Sequence, residues 1–274
     1  MSAKDVDPLM QQLDGELAGW DEPGGRLREA LAKDELALYC QPVVALAGTV
    51  RFPMAEVLIR LREEEKALLP PGEFLPAFEH YGLMPDLDRW VLHKVLQHIK
   101  RGSRIARFAI NISSQTLEDP TFPRSVATEL VSAGVQGTAL IFEINELDTL
   151  SRLEACVRFA TAVRVVGCAV SVGGFGRRSA SFMAIKTLRP DIVKVDGVIV
   201  RKLISAPGAE AKMKAVLRVG EVLGFKVIAE MVEERPIYAR LKTLGVGFAQ
   251  GFGIRQPHPI EKLGRQSPEP TPKR

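Results

Sequence analysis

Eight short apolar runs, rich in β-branched residues, each stop at one polar residue or glycine. The residues at these stops are Gln41, Glu56, Asn111, Glu143, Gly173, Lys194, Glu230 and Gln250. Runs of this kind are typical of buried strands. Open α/β sheets and barrels keep their sites at strand carboxyl ends, where the loops gather side chains from distant parts of the chain. The eight stops therefore predict a fold and a pocket together.

The length and composition of the chain suit one barrel domain. Its 274 residues, 46% of them apolar, can bury a core of eight strands alternating with helices. The net charge is only +4, and no stripe of Lys and Arg alternates with aromatic residues, so DNA binding is not expected. The chain shows no signal-peptide pattern and no apolar stretch of the roughly 20 residues that a membrane span needs.

The three cysteines, Cys40, Cys156 and Cys168, lie in or beside apolar runs and lack CxxC spacing. An odd number of cysteines argues against a disulfide framework. We therefore predict buried thiols and a reducing, cytoplasmic location.

The predicted domain organisation is a lead at residues 1–23, a barrel domain at 24–263 and a disordered tail at 264–274. The cluster AspGluProGlyGly separates the lead from a helix at about Arg26 to Lys33. The lead is interpreted as a linker or a fragment of a larger protein. Three prolines and several charges predict disorder in the tail.

The spacing of the stops predicts strand direction. The segment from Gln41 to Glu56 is too short for a crossover helix, so it indicates a hairpin in which the first strand runs antiparallel to the others. Two helices are predicted between Pro70 and Arg101 from apolar residues at helical spacing. The later stops are each far enough apart for one helix and a return strand.

Several stops carry a carboxylate or an amide and would converge at one barrel mouth. These are Glu56, Asn111, Glu143 and Glu230. Lys194 and Asp196 are two residues apart and so lie on one side of their strand. Acids and an amide around one lysine suit hard cations and phosphate oxygens. A single acid at a strand end is more often a helix cap or part of the solvated rim, whereas several together indicate a site.

Seven short motifs follow one another along the chain. They are TyrCysGlnProVal at 39–43, GluValLeuIleArg at 56–60, AsnIleSer at 111–113, PheGluIleAsnGlu at 142–146, LysValAsp at 194–196, AlaGluMetValGlu at 229–233 and GlnGlyPhe at 250–252. In order and approximate spacing, over about residues 25–262, they resemble the EAL domain of cyclic di-GMP signalling. The resemblance implies a modified TIM (β/α)8 barrel of class α/β with an antiparallel first strand. Active members hydrolyse cyclic di-GMP with two Mg²⁺ or Mn²⁺ ions.

The resemblance also implies a role for each matching residue. The metal ligands would be Glu56, Asn111 and Glu143, and the catalytic positions would be Glu56, Lys194, Glu230 and Gln250. Contacts to the nucleotide would come from Gln41, Leu58, Arg60, Asp88, Asn111 and Glu233, with Arg60 on a phosphate and Asp88 near the base. The alternative for Asp88 is an acid at a helix start, where the helix dipole favours it.

The chain departs from the family pattern at two places. Where active relatives have Asp-Asp-Phe-Gly, this chain has Gly173, Gly174, Phe175 and Gly176, so the resemblance predicts loss of the two-metal site and no metal requirement. The next segment, ArgArgSerAlaSer at 177–181, replaces a loop that couples the metal site to dimerisation in the family. This replacement argues against the family's usual homodimer. Its two arginines either contact a phosphate or an acidic partner, or are solvated.

These residues predict a catalytically inactive domain that binds cyclic di-GMP as a receptor and relays its occupancy to an unidentified protein partner. Two alternatives remain open. One is a protein-interaction module that has lost nucleotide binding, and the other is a weak cyclic di-GMP phosphodiesterase.

Overall fold

The computed structural model describes residues 22–47, 54–63 and 67–264. All but the last two residues of the predicted lead, and all but the first residue of the predicted tail, lie outside the described residues. The predictions about these two segments therefore remain predictions.

Eight strands close into a barrel, and two further short strands extend its wall. The strands are β1 (Leu36–Ala45), β2 (Met54–Glu63), β3 (Ala67–Leu69), β4 (Phe108–Asn111), β5 (Leu140–Asn145), β6 (Ala169–Phe175), β7 (Ile192–Val195), β8 (Lys226–Ala229), β9 (Phe248–Ala249) and β10 (His258–Pro259). Around the barrel the order is β1, β9, β8, β7, β6, β5, β4, β2, and β1 pairs with β2 to close the ring. The short strands β3 and β10 pair with β2 and β1.

The first strand is antiparallel to both of its neighbours in the ring, whereas the other neighbouring pairs of the ring are parallel. The predicted α/β barrel with an antiparallel first strand is thus confirmed. The hairpin sets Gln41 directly opposite Glu56 and Tyr39 opposite Leu58. Because side chains alternate between the two faces of a strand, Glu56, Leu58 and Arg60 project from the same face of β2.

Helices surround the barrel. They are α1 (Pro23–Ala32), α2 (Pro71–His80), α3 (Met84–Lys100), α4 (Ser114–Glu118), α5 (Phe122–Ala133), α6 (Glu146–Ser151), α7 (Leu153–Val165), α8 (Ser181–Leu188), α9 (Gly197–Val200), α10 (Pro207–Leu223) and α11 (Arg235–Thr243). The two helices predicted between Pro70 and Arg101 are present as α2 and α3. Within the described ranges, no helix is both long and apolar enough to cross a membrane.

The first helix begins three residues earlier than the predicted start at Arg26. Pro23 occupies its first turn, where the missing N–H costs nothing and the fixed φ suits a helix. Gly24 lies against the ring of Tyr81, and a Cβ added at Gly24 would come within 2.9 Å of that ring. The Pro-Gly-Gly cluster therefore starts the helix instead of preceding it.

The interior of the barrel below the mouth is apolar. A cluster of six buried side chains fills it: Val43, Met54, Ala109, Ile141, Ile192 and Ile228. A larger core lies between the strands and the surrounding helices, and includes Phe122, Phe142 and Phe159 in mutual ring contact. The polar side chains above the apolar floor are thereby kept from water on their lower side.

Not every stop is at a strand end. Asn111 ends β4, and Glu230 and Gln250 directly follow β8 and β9. Glu143, Gly173 and Lys194 lie one or two residues before the ends of β5, β6 and β7. Gln41, however, is in the middle of β1, and Glu56 is the third residue of β2. The prediction was wrong for these two because β1 runs in the opposite direction and β2 continues past the mouth to pair with β3.

Candidate active site at the barrel mouth

A buried lysine surrounded by three glutamates occupies the centre of the barrel mouth. Lys194 Nζ lies 2.8 Å from Glu56 Oε2, 2.9 Å from Glu143 Oε1 and 3.0 Å from Glu230 Oε1. The Lys194 side chain is only 3% exposed. The structure thus brings together four residues that the sequence placed on β2, β5, β7 and the end of β8.

Amide side chains complete this cluster. Asn111 Nδ2 donates to Glu56 Oε1 at 3.0 Å, and Gln250 Nε2 donates to Glu56 Oε2 at 2.8 Å. Gln250 Nε2 also reaches Gln41 Oε1 at 3.0 Å. Ser171, which the sequence analysis did not select, donates its hydroxyl to Glu143 Oε2 at 3.4 Å. Its position two residues before Gly173 on β6 is the sequence signal that could have identified it.

Three carboxylates facing one ammonium leave an excess of negative charge when all are ionised. Burial raises the pKa of Glu143 to about 8; the Lys194 ammonium opposes this rise, and the carboxylates of Glu56 and Glu230 add to it. Against the effect of burial, Lys194 and the two amide donors lower the pKa of Glu56. Burial likewise opposes the charge of Lys194, but the three glutamates raise its pKa well above the ordinary value. The cluster therefore consists of a protonated lysine and carboxyl groups whose pKa values are shifted in opposite directions, lowered for Glu56 and raised for Glu143.

A cleft of about 750 Å³ opens beside the cluster. Its wall includes three of the residues predicted to contact nucleotide, Leu58, Asp88 and Asn111, together with Gly173 and Gly174. Arg152 also lines it, and no feature of the sequence pointed to this arginine. A cleft of this size is in the range of small-molecule sites.

Asp88 is buried in the wall and is held by Ser113. Its Oδ2 accepts hydrogen bonds from Ser113 N at 3.0 Å and from Ser113 Oγ at 2.8 Å. Burial raises the pKa of Asp88 to about 6. The acid in the first turn of α3 is Asp86, not Asp88, so the alternative of a helix-start acid applies to Asp86.

The other residues predicted to contact nucleotide have different surroundings. Arg60 donates to its own neighbour's carbonyl, Ile59 O, and its guanidinium lies 5.5 Å from the centre of the Tyr39 ring. Glu233 is exposed after β8. Gln41 is buried, with its Nε2 donating to Arg255 O at 2.9 Å and its Oε1 accepting from Gln250. Gln41 thus supports the cluster through Gln250.

The two glycines on β6 lie directly beside the acidic cluster. A Cβ at residue 173 would come within 2.4 Å of Glu143 Oε1, so the Glu143 carboxylate fills the space that a side chain there would need. Gly174 has φ +66, a left-handed conformation that favours glycine. A Cβ at residue 174 would lie 3.8 Å from Asp196 Oδ2.

The donor set decides which metal ions the residues fit. Glu56, Asn111 and Glu143 offer the side-chain oxygens that Mg²⁺ and Mn²⁺ prefer, whereas Gly173 and Gly174 offer none. The carboxylates of Glu56 and Glu143 contact Lys194. No three His, Cys, Asp or Glu side chains in the described segments are arranged to hold a metal ion. Glu56, Asn111 and Glu143 are thus the side chains that would contact an ion here, and residues 173 and 174 offer it no side-chain ligand.

The segment after the glycines is held at two points. Gly176 N donates to the buried Glu146 Oε1 at 2.7 Å, and Arg177 Nε donates to Asp196 Oδ2 at 2.8 Å. Asp196 also caps α9 through Val198 N. Arg178 is exposed. Of the two arginines, Arg177 therefore has an acidic partner within the chain.

The barrel, its antiparallel first strand and this glutamate–lysine cluster agree with a match to known proteins. The chain matches the EAL domain family over residues 25–257, and it belongs to that family.

Individual relatives resemble this chain over most of its length. The cyclic di-GMP phosphodiesterase PdeB of Shewanella oneidensis is 29% identical over 244 residues, which are 88% of this chain but only 28% of that protein. The chain thus corresponds to less than a third of PdeB. The FimX EAL domain of Pseudomonas aeruginosa bound to c-di-GMP is 26% identical with a TM-score of 0.81, covering 86% of this chain and 96% of that one. The PaMucR phosphodiesterase in complex with c-di-GMP is 27% identical with a TM-score of 0.80, covering 88% and 99%.

Proposed function

We propose that this EAL domain binds cyclic di-GMP without hydrolysing it and relays its occupancy to a protein partner. The observation that carries the proposal is the pair Gly173 and Gly174 beside an otherwise complete polar cluster. One side of the mouth keeps buried polar groups that suit a nucleotide. The other side lacks the carboxylates that a pair of ions requires.

Hydrolysis with two metal ions depends on a clamp. The ions hold the attacking and leaving oxygens and lower the pKa of the attacking water. Glycine offers only backbone atoms, so Gly173 and Gly174 supply no anionic ligand for a second ion. Lys194 Nζ lies within 3.0 Å of the carboxylates of Glu56, Glu143 and Glu230 and supplies the positive charge that holds them together.

The absence of carboxylates at residues 173 and 174 also favours a complex that contains no metal ion. Two opposite or like charges about 4 Å apart interact by roughly 4 kcal/mol at an effective dielectric constant of 20. A carboxylate at that distance from a phosphate therefore repels it strongly unless an ion lies between them. Without side chains at residues 173 and 174, a dianionic dinucleotide meets less negative charge in this part of the cleft.

The relatives support the ligand class. FimX and PaMucR are both described as complexes with c-di-GMP. Burial of Asp88 in the cleft wall supports selection of guanine, because a carboxylate can accept hydrogen bonds from the guanine N1 and its exocyclic amine.

A weak phosphodiesterase is the second candidate. It is favoured by Glu56, Asn111 and Glu143, which could hold one ion, and by PdeB and PaMucR, whose names are those of phosphodiesterases. An ion bound there would act as a Lewis acid, while Lys194 and Glu230 would be placed to orient a water.

One titration separates these functions. We expect calorimetry in EDTA to show heat from cyclic di-GMP binding, and no linear dinucleotide after prolonged incubation with Mg²⁺ or Mn²⁺. Cyclic di-AMP is the matched control ligand, because it lacks the guanine donors that Asp88 would recognise. Accumulation of linear product would establish the phosphodiesterase. Absence of binding, with and without metal, would leave a protein-interaction module.

The partner and the assembly are part of the same proposal. The altered segment 177–181 favours a protein partner over the family's usual homodimer. The three cysteines are free, buried and, because burial raises their pKa values to about 12, unreactive. Such thiols agree with the reducing compartment that we propose.

A further inference from the structure

Arg177 is a cationic side chain close to the place where the two family aspartates are missing. Its Nε donates to Asp196 Oδ2 at 2.8 Å. The same Asp196 oxygen lies 3.8 Å from the position that a Cβ of residue 174 would take. These two distances put the guanidinium within one side chain's length of residue 174.

Both ends of this contact are held in place. Asp196 is 10% exposed, and its second oxygen accepts from Val198 N at 2.7 Å. On the other side, the backbone of Gly176 is bound to the buried Glu146. Gly176 has φ +100 and Gly174 has φ +66, conformations that glycine adopts without strain. The chain therefore turns sharply before Arg177 and sets its side chain above Asp196.

Among the described residues, the Arg177 guanidinium is anchored at the edge that carries Nε. A guanidinium carries five N–H donors, and in the part of the chain that the structure describes the Nε donor is bound to Asp196. The Arg177 side chain is 60% exposed, in contrast to its partner. Its outer nitrogens thus face solvent at the rim of the mouth.

We infer that Arg177 supplies a fixed positive charge in the part of the site that Gly173 and Gly174 leave without carboxylates, and that its outer nitrogens bind a phosphate of cyclic di-GMP. This inference rests on the proposed function and specifies how binding without metal is achieved. The planar guanidinium is always charged and matches two phosphate oxygens at once. Because Asp196 already holds one edge, less side-chain freedom is lost when a phosphate binds.

The neighbouring Arg178 provides a matched control. It is exposed and carries the same charge one residue further along the chain, and among the described residues it is Arg177, not Arg178, that pairs with Asp196. In calorimetry with EDTA, we expect Arg177→Ala to weaken cyclic di-GMP binding by about tenfold to a hundredfold, the range of one or two charge-assisted hydrogen bonds. Arg178→Ala should stay within about twofold of the unmodified protein, since solvated charges contribute little.

A second measurement distinguishes a phosphate contact from a structural role for the Arg177–Asp196 pair. If Arg177 binds a phosphate, its removal should make the affinity less sensitive to salt, because one charge-charge contact is lost. If the pair only stabilises the segment, Arg177→Ala would instead lower the midpoint of thermal unfolding and leave the salt dependence of binding unchanged. That result would overturn the inference.

The outcomes also separate this inference from the proposed function. If the unmodified protein binds in EDTA and both alanine variants bind equally well, Arg177 is not a phosphate ligand, but the receptor function stands. If the unmodified protein fails to bind cyclic di-GMP in EDTA, both are overturned.

Discussion

The two sides of the barrel mouth differ in what their side chains provide. On the side built by β2, β4 and α3, Leu58, Asp88 and Asn111 line the cleft, and Asp88 is held by two hydrogen bonds. On the β6 side, the wall is backbone at Gly173 and Gly174. Because separate strands carry the two sides, one can lose its polar groups while the other retains its geometry. Recognition and hydrolysis of a ligand can therefore be separated within one fold.

Between the two sides lies Lys194, and the largest effect is expected there. Lys194→Met would leave three buried or half-buried carboxyl groups without their cation. We therefore expect a loss of about 3–5 kcal/mol of unfolding free energy, measured by urea denaturation. The loss should shrink as the pH is lowered, because protonation neutralises the glutamates. Lys186→Met, at an exposed position on α8, should change little. A stable Lys194 variant at neutral pH would show that the cluster is not held together by this charge.

On the side built by β2, β4 and α3, Asp88→Asn should alter how stability depends on pH. Burial raises the pKa of Asp88 to about 6, above the ~3.9 of an unfolded chain, so the folded protein holds this proton more tightly. The resulting stabilisation is present below about pH 4 and is lost as the pH rises through about 6, a change of up to ~3 kcal/mol.

The Asp88→Asn substitution removes this titrating proton while keeping an oxygen that accepts from Ser113. Urea denaturation at about pH 4.5 and about pH 7.5 should therefore show a smaller decrease for Asp88→Asn than for the unmodified protein. Asp86→Asn, exposed on the same helix, should retain the unmodified pH dependence. Identical pH profiles for all three proteins would contradict a raised pKa at Asp88.

On the same side, Arg60→Ala in β2 should weaken cyclic di-GMP binding by about 1.5–3 kcal/mol, the contribution of a hydrogen bond to a charged group. Binding by calorimetry in EDTA measures this. Arg104→Ala is the control, because Arg104 is exposed before the amino end of β4, at the opposite end of the barrel from the mouth. Unchanged affinity for the Arg60 variant would place the ligand elsewhere.

On the β6 side, the smallest effect is a gain. Gly173→Asp combined with Gly174→Asp restores two carboxylates, and we expect Mn²⁺ affinity to rise by about tenfold. The gain is limited because Glu143 must move away from residue 173 and because residue 174 has a left-handed conformation, which Asp tolerates at a cost. The matched control replaces both glycines by Asn, which adds similar bulk without charge. Equal Mn²⁺ affinity in the two double variants would show that the missing charges are not what limits metal binding.

Much of the fold could be predicted from local patterns. The short connection between Gln41 and Glu56 indicated a hairpin, and the structure pairs these two residues directly. The start of α1 was missed because a proline followed by two glycines is usually a break, whereas here the proline occupies the first turn and Tyr81 covers Gly24.

The candidate site was predictable in part. Residues that share a face through strand alternation, such as Glu56, Leu58 and Arg60, could be grouped from the sequence. Contacts across the barrel could not, because they depend on the relative height of strands far apart in the chain. Arg152 in the cleft wall is such a residue.

The amino-acid sequence by itself determined the barrel, the direction of its first strand and the absence of two carboxylates at residues 173 and 174, because strand periodicity, connection length and residue identity are local properties. Tertiary structure alone decided how closely the three glutamates approach Lys194, that Glu143 fills the space beside Gly173 and that Arg177 is held by Asp196. Those contacts depend on how the strands are staggered around the barrel, and burial there determines which carboxyl groups keep a proton.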